Sequence, residues 1–239
     1  MIEGPDLIGA ALDGEAEFEG LYVDREFVDK YRDVIGRAES AGHRVFALEP
    51  GVVAKIADAT TPQPIVAAVR FRPSRLEEIE HSAPVVVLHE MRDPGNVGTV
   101  IRSAAAFGCA GVVVTGRSVD PYNPKTLRAT AGALFRLPVV VEDDLSNVVS
   151  WAHDHGARVV ATVVRGGDTP DEVKMHQRDV LVIGNEAEGL PDDAIGLSDC
   201  QVTLPMTSRT ESLNASVAAS VLLYLAFSTH GHGSAHGES

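Results

Sequence analysis

From Ala83 onward the chain alternates short runs of β-branched residues with segments of helical periodicity, and no other feature limits the possible folds as much. Uninterrupted apolar runs indicate strands that are buried on both faces, as in parallel sheets with helical crossovers. We therefore predict an α/β domain with a mostly parallel sheet, and we expect ligands where loops converge at the C-terminal ends of its strands. The predicted strands span residues 85–88, 111–115, 137–141, 159–163, 180–183 and 201–204, and the predicted helices span residues 97–107, 125–133, 145–155 and 213–227.

The first 75 residues mix the two periodicities less regularly, which predicts a separate small α/β module. The segment Phe71-Arg72-Pro73-Ser74-Arg75 has the proline and the charges of a linker, so we expect a boundary near residues 75–80. The predicted domains are residues 1–75 and residues 80–229, followed by a tail at residues 230–239. This tail is rich in glycine and histidine and has no apolar anchor, which predicts disorder rather than a metal site.

Within the N-terminal module the elements are short. The predicted helices span residues 7–12, 27–41 and 52–57, and the predicted strands span residues 21–23, 44–48 and 65–69.

Composition predicts a soluble protein of the cytoplasm. Hydrophobic residues make up 44% of the 239 residues, which is enough for an ordinary core. No window approaches the roughly 18 uncharged apolar residues of a membrane helix, and the N-terminus lacks the order of a signal peptide. Cys109 and Cys200 lie far apart without a CxxC spacing, so we expect reduced, buried thiols, no metal and no membrane partner.

The formal net charge of −14 argues against a nucleic-acid partner, because binding to phosphate normally requires a positive surface. The charge is unevenly distributed, however. Acidic stretches such as residues 13–19 and 77–80 are typical of solvated faces. The central part of the chain holds basic residues among few acids, namely Arg92, Arg102, Arg117, Lys125, Arg128 and Arg136.

Three loops that follow predicted strands carry the candidate chemistry. The first, residues 91–103, contains the turn Asp93-Pro94-Gly95, a candidate N-cap at Asn96 and a basic side chain at Arg102. An ordinary capped helix would read the same way. The loop lacks the G-x-G-x-x-G pattern of dinucleotide sites, which disfavours a nicotinamide enzyme.

The second and third loops are similarly ambiguous when each is taken alone. In residues 181–191, Gly184 permits close approach of a ligand to the backbone, and Gly189 permits a sharp turn. In residues 204–216, Pro205 ends the strand, and Ser212 or Asn214 can cap the next helix. Solvated loops are the alternative for both segments.

Together, the order of these loops and the residues in them resemble the three sequence motifs of the SpoU family in the SPOUT superfamily of methyltransferases. The resemblance covers roughly residues 83–228. The N-terminal portion is similar to the small substrate-binding domain, related to a ribosomal protein fold, that precedes the catalytic domain in ribosomal RNA members. The family's catalytic domain is an α/β fold whose C-terminal segment forms a deep trefoil knot, which periodicity does not reveal.

The resemblance implies a cofactor and its contacts. Family members use S-adenosyl-L-methionine, which the knot holds in a bent conformation, largely through backbone groups. Apolar side chains can enclose an adenine face, and the glycine gives access to the backbone. The implied cofactor contacts are Thr162, Ile183, Gly184, Leu204, Met206 and Leu213.

The resemblance also implies the reaction, which is methyl transfer to a ribose 2′-hydroxyl of structured RNA, most simply 23S ribosomal RNA. The alternatives are a transfer RNA substrate or a non-catalytic RNA-binding protein on the same fold. Relatives are homodimers. The residues implied around the ribose are Asn96, Arg102, Glu186, Ser212 and Asn214. The candidate phosphate contacts are Arg92, Arg117, Lys125, Arg128, Arg136 and Arg165.

Overall fold

The computed structural model describes residues 1–57, 61–80, 82–207 and 212–228, and these form two β-sheets with helices around them. The tail predicted to be disordered, residues 230–239, lies outside the described residues. No helix in the described ranges is long and apolar enough to cross a membrane.

The N-terminal sheet is a mixed four-stranded sheet. Its strands lie side by side in the order β1 (Ile2–Glu3), β4 (Ile65–Arg70), β2 (Glu17–Asp24) and β3 (Val45–Leu48). Strands β2 and β3 are parallel, and the other neighbours are antiparallel. The predicted helix at 27–41 begins only at Arg32, because residues 25–27 form a separate 3-10 turn. The helices that accompany the N-terminal sheet are α1 (Pro5–Asp13), α2 (Arg32–Ser40) and α3 (Val53–Ile56).

The C-terminal sheet has six strands, and every neighbouring pair is parallel. The strands lie side by side in the order β10 (Cys200–Val202), β8 (Arg158–Thr162), β9 (Asp179–Ile183), β5 (Val85–His89), β6 (Gly111–Thr115) and β7 (Val139–Glu142). The predicted α/β architecture is therefore confirmed. The strand predicted at 137–141 begins at Val139, since Pro138 has no N–H to donate to the ladder. The helices that accompany the C-terminal sheet are α4 (Pro94–Ala106), α5 (Pro124–Thr130), α6 (Leu145–Asp154), α7 (Pro170–Val173), α8 (Asp192–Gly196) and α9 (Ala215–Ser228).

The strand order brings distant loops together. Strand β9 lies between β5 and β8, with Leu88 opposite Ile183 and Ala161 opposite Val182. Because all three strands run in the same direction, the loops that follow them meet at one edge of the sheet. Helix α9 packs on α4, where Ser103 and Ser220 share a hydrogen bond of 2.7 Å between their hydroxyl oxygens.

The two sheets share one continuous apolar core. Gly132, at φ +85°, lies so close to Ala10 of α1 that a Cβ atom there would overlap its side chain. The segment predicted as a linker is packed rather than extended into solvent: the Ser74 amide donates to the Val139 carbonyl at 3.1 Å, and Leu76 and Ile79 are buried. The boundary near residues 75–80 remains a prediction.

Two further predictions concern cysteines and the knot. Both cysteines are unpaired, as predicted, although only Cys109 is fully buried, and burial raises the pKa of its thiol to about 12. The knot depends on the path of the segment between β10 and α9, and residues 208–211 of that segment lie outside the described residues. The knot remains a prediction.

Candidate active site

The loop after β9 folds back on itself as a closed turn. The Asn185 amide donates to the Gly189 carbonyl at 3.1 Å, the Gly189 amide donates to the Asn185 carbonyl at 2.9 Å, and Gly189 has φ +73°. The sharp turn predicted at Gly189 is confirmed. For Gly184 the structure adds a second reason to the predicted one: a Cβ atom there would overlap the backbone of Gly189 and Leu190, so the loop's own return also requires a glycine.

Asn185 locks this turn to the loop after β5, and sequence analysis did not single it out. Its side-chain nitrogen donates to the Glu90 carbonyl at 2.9 Å, and its side-chain oxygen accepts from the Ala187 amide at 2.8 Å. Glu90 is itself held at φ +55°, a left-handed conformation that is unusual for a residue with a side chain. An Asn side chain often accepts a hydrogen bond from the backbone amide two residues later and so forms a local turn. This tendency could have pointed to Asn185 from the sequence.

An apolar cleft lies on one side of the 184–189 turn. Its walls come from the ends of β8, β9 and β10, the segment after β10, and α9. The Thr162 hydroxyl donates to the Val182 carbonyl at 2.9 Å, which fixes one wall. All six residues predicted to contact a cofactor line this cleft, together with Ser212: they are Thr162, Ile183, Gly184, Leu204, Met206 and Leu213.

A second, more open hollow lies on the other side of the same turn. It is lined by the start of α4, the turn itself and the residue before α9. Residues 185–188 line both cavities, so the turn forms the wall between them. The residues of the hollow are Arg92, Asp93, Asn96, Asn185, Glu186, Ala187, Glu188 and Asn214.

Glu186 anchors the start of α4 to the turn. Its carboxylate accepts from the Asn96 side-chain nitrogen at 3.0 Å, the Asp93 amide at 3.3 Å and the Arg92 amide at 3.5 Å. With its oxygens engaged by these donors, this carboxylate organises two loops rather than facing open solvent alone.

Asn96 continues this network into α9. Its side-chain oxygen accepts from the Asn214 side-chain nitrogen at 3.0 Å and from the Ser216 hydroxyl at 3.1 Å. Asn214 caps α9, as one of the two predicted candidates, because its side-chain oxygen accepts from the Ser216 amide at 2.9 Å. The cap predicted at Asn96 is wrong: Asp93 caps α4 and accepts from the Asn96 amide at 2.9 Å, which leaves the Asn96 side chain free to face α9.

Arg102 differs from the other four residues predicted to act on the ribose. It lies on α4 two turns after Asn96, is exposed, and lines neither cavity. Among the described residues its guanidinium has no hydrogen bond or ion pair. The structure therefore brings Asn96, Glu186 and Asn214 into one network and Ser212 into the adjoining cleft, but it leaves Arg102 outside them.

The candidate phosphate contacts are all exposed, but only one lines the site. Arg92 lines the hollow, with its guanidinium 4.0 Å from the Glu90 carboxylate. Arg136 forms an ion pair with Asp13 at 3.4 Å, so it holds α1 against the C-terminal domain. The remaining candidates, which line neither cavity, are Arg117, Lys125, Arg128 and Arg165.

In the described ranges, no group of three His, Cys, Asp or Glu side chains is arranged to hold a metal ion.

The model of the SpoU rRNA Methylase family matches residues 83–224, which include both cavities. The chain belongs to this family. The SpoU chain is 30% identical over 94% of its length to the 23S rRNA (guanosine(2553)-2′-O)-methyltransferase RlmP of Bacillus subtilis, of which it covers 86%. It is 32% identical over 74% of its length to the 23S rRNA (uridine(2479)-2′-O)-methyltransferase of Streptomyces viridochromogenes, of which it covers 65%.

Solved structures agree with this assignment. The SpoU methyltransferase AviRb of Streptomyces viridochromogenes, in complex with AdoMet, superposes with a TM-score of 0.84 at 27% identity, covering 98% of this chain and 91% of that one. An AdoMet-bound rRNA methyltransferase of Sinorhizobium meliloti gives a TM-score of 0.83 at 29% identity, covering 95% and 86%. The predicted family and the predicted two-domain α/β fold are therefore confirmed, with an all-parallel C-terminal sheet.

Proposed function

We propose that this SpoU protein uses S-adenosyl-L-methionine to methylate a ribose 2′-hydroxyl of 23S ribosomal RNA. The observation that carries the proposal is the pair of cavities divided by residues 185–188, with an apolar cleft on one side and a hollow lined by amide side chains on the other. The two cavities share this turn, so a donor and an acceptor can bind side by side and meet at its edge. The relatives named for 23S rRNA 2′-O-methylation support the substrate class.

The cleft fits the proposed cofactor chemically. Leu204, Met206 and Leu213 offer apolar surface to a purine, and backbone groups of the 184–189 turn offer polar contacts beside it. AdoMet is bound in two related structures. When bound, this cofactor supplies an activated methyl group on a sulfonium.

The hollow fits a ribose acceptor through unused hydrogen-bond donors. Each side-chain amide nitrogen carries two hydrogens. Within the described residues, the Asn96 nitrogen donates one hydrogen to the Glu186 carboxylate, and the Asn214 nitrogen donates one to the Asn96 oxygen. The second hydrogen of each is left to orient sugar or phosphate oxygens, and such positioning provides much of the acceleration of a displacement reaction.

Arg102 would stabilise charge rather than remove the proton. A guanidinium offers only hydrogen-bond donors, so Arg102 can bind a neighbouring phosphate and the developing alkoxide, while phosphate or water takes the proton. Because Arg102 lines neither cavity of its own protomer, we propose that it acts in the site of a second copy.

The surface of α9 supports a homodimer of this kind. Val217, Val221 and Tyr224 are 48%, 39% and 53% exposed, and their spacing places them on one stripe of the helix. An apolar stripe of this kind is typical of an interface. Arg102 is the neighbour of Ser103, which contacts Ser220 between two of these residues.

Methyl transfer from radiolabelled S-adenosylmethionine to RNA from a strain that lacks the protein tests the function. We expect label in a 2′-O-methylated nucleoside of 23S RNA, identified by mass spectrometry after nuclease digestion. Label in transfer RNA would show that the substrate is transfer RNA rather than ribosomal RNA. Cofactor binding without transfer to any RNA would contradict the proposed methyltransferase activity. Calorimetry with the cofactor provides the binding measurement. We propose the cytoplasm as the location because ribosomes carry the substrate there.

Mixing inactive subunits tests the shared site. If Arg102 acts across the dimer, Asn96→Ala and Arg102→Ala chains should regain activity when they are mixed, because one site of each heterodimer then holds both native residues. If both residues act in the same protomer, mixing restores nothing. A Val221→Glu variant that stays dimeric in sedimentation analysis would contradict the proposed interface.

A further inference from the structure

We propose that Ser216 is a positioning residue for the methyl transfer, because its buried hydroxyl holds the side chains of Asn96 and Asn214 in the orientation that faces the substrate. This inference rests on the proposed function. Ser216 is 5% exposed and lines neither cavity, so it touches neither substrate nor cofactor.

The Ser216 hydroxyl lies between two amide oxygens. It is 2.6 Å from the Asn214 side-chain oxygen and 3.1 Å from that of Asn96. A hydroxyl has one hydrogen to donate, so the two oxygens share a single donor. A donor shared in this way can offset the repulsion between two partially negative oxygens.

The consequence falls mainly on Asn96. The Asn214 oxygen also accepts from the backbone amides of Ser216 and Val217, at 2.9 and 3.2 Å, so its orientation is fixed without the hydroxyl. Among the described residues, the Asn96 oxygen accepts from two side chains at the start of α9, the cap residue Asn214 and Ser216. Without the hydroxyl, the Asn214 side-chain nitrogen is the one described donor that remains to hold the Asn96 oxygen.

The Asn96 amide has a second constraint at its other end. Its nitrogen must face Glu186, because a flipped amide would set an oxygen against a carboxylate oxygen. Glu186 and Ser216 therefore hold the two ends of one amide group. The proton that Asn96 offers to the hollow points correctly only while both contacts persist.

Ser220 offers a matched control. It lies one helical turn further along α9, in the same seam with α4, and is half-buried. Its hydroxyl bonds to Ser103 at 2.7 Å and donates to the Ser216 carbonyl at 2.7 Å, but it contacts neither Asn96 nor Asn214. Removal of either hydroxyl takes away one part-buried hydrogen bond between α4 and α9 and one contact to a residue near the start of α9.

The test compares Ser216→Ala with Ser220→Ala in the full chain. We expect both to lose similar thermal stability and to bind S-adenosylmethionine with unchanged affinity in calorimetry. We expect kcat for RNA methylation to fall about 10- to 100-fold in Ser216→Ala only, as misplacement of a reacting group can cause. Ser216→Thr, which keeps the hydroxyl, should recover most of that loss.

Equal kcat values for the two alanine variants would overturn the inference, as would a loss in Ser216→Ala that follows its stability or its cofactor affinity. The wild-type protein separates this outcome from failure of the proposed function. An active wild type with equal variants contradicts the role of Ser216 alone, whereas a wild type without ribose methylation contradicts the proposed function itself.

Discussion

The 185–188 segment lines two cavities whose other walls are built in different ways. On the cleft side, the other walls are mostly apolar, with Thr162 and Ser212 as the polar side chains. On the hollow side, side-chain amides and a carboxylate form a connected network in which Asn96 contacts Glu186, Asn214 and Ser216. The contrast suggests that the cleft tolerates changes of side chain and that the hollow does not.

The physical reason is the nature of each contact. Apolar contact is non-directional and scales with area, so one altered wall residue removes only its own share. A shared hydrogen-bond network fixes direction, so the loss of one member misplaces the others. The following predictions test this contrast, from the largest expected effect to the smallest.

Replacement of the central amide should have the largest effect. In Asn96→Ala, we expect kcat/KM to fall about 10²- to 10³-fold, the usual loss when one preorganised donor is removed. Affinity for S-adenosylmethionine in calorimetry should stay within about twofold, because Asn96 does not line the cleft. Thr99→Ala, on the exposed face of the same helix, is the control. A near-normal rate in Asn96→Ala would remove the contrast.

Addition of one methyl group at the turn should disturb both cavities. In Gly184→Ala the new Cβ overlaps the backbone of Gly189 and Leu190, so we expect a loss of about 1–3 kcal/mol in the free energy of unfolding. Cofactor affinity should weaken about tenfold if roughly 1.4 kcal/mol of this strain is released only in the unbound state. Gly196→Ala, where a Cβ atom meets nothing within 4 Å, is the control. Equal stability of both variants would show that the turn is not tightly closed.

Removal of one apolar wall should affect binding and spare the chemistry. In Leu204→Ala, we expect the cofactor Kd to rise about 5- to 30-fold, since a partly buried leucine contributes about 1–2 kcal/mol. The rate at saturating cofactor should change little. Leu197→Ala, at an exposed leucine outside the cleft, is the control. A lower rate at saturation would place Leu204 in the reaction as well as in binding.

The smallest effect is expected at the wall between the cavities. Glu188 lines both, and its carboxylate has no hydrogen-bond partner among the described residues. In Glu188→Gln, we expect the Kd for the cationic cofactor to rise about two- to fivefold, as an exposed ion pair allows, and the difference to fade in high salt. An unchanged Kd at low salt would show that this carboxylate is not near the cofactor's positive charge.

Much of the fold followed from the sequence. Continuous apolar runs such as that of β5 require burial on both faces, and helices between them require parallel strands, so the sheet and the edge that carries the site were predictable. The turn at Gly189 was predictable for a local reason as well, since only its backbone conformation matters. The family motifs supplied the wall residues of the cleft in advance.

The sequence could not decide which distant groups meet. Asn96 and Asn214 are 118 residues apart, and they touch only because β9 lies between β5 and β8 and α9 returns to α4. The position of Ser216 in the network, the packing reason for Gly184 and the outward position of Arg102 all depend on that arrangement. Periodicity reports which face of an element is buried, whereas the partner of a polar side chain depends on the packing of elements that the chain joins only over long distances.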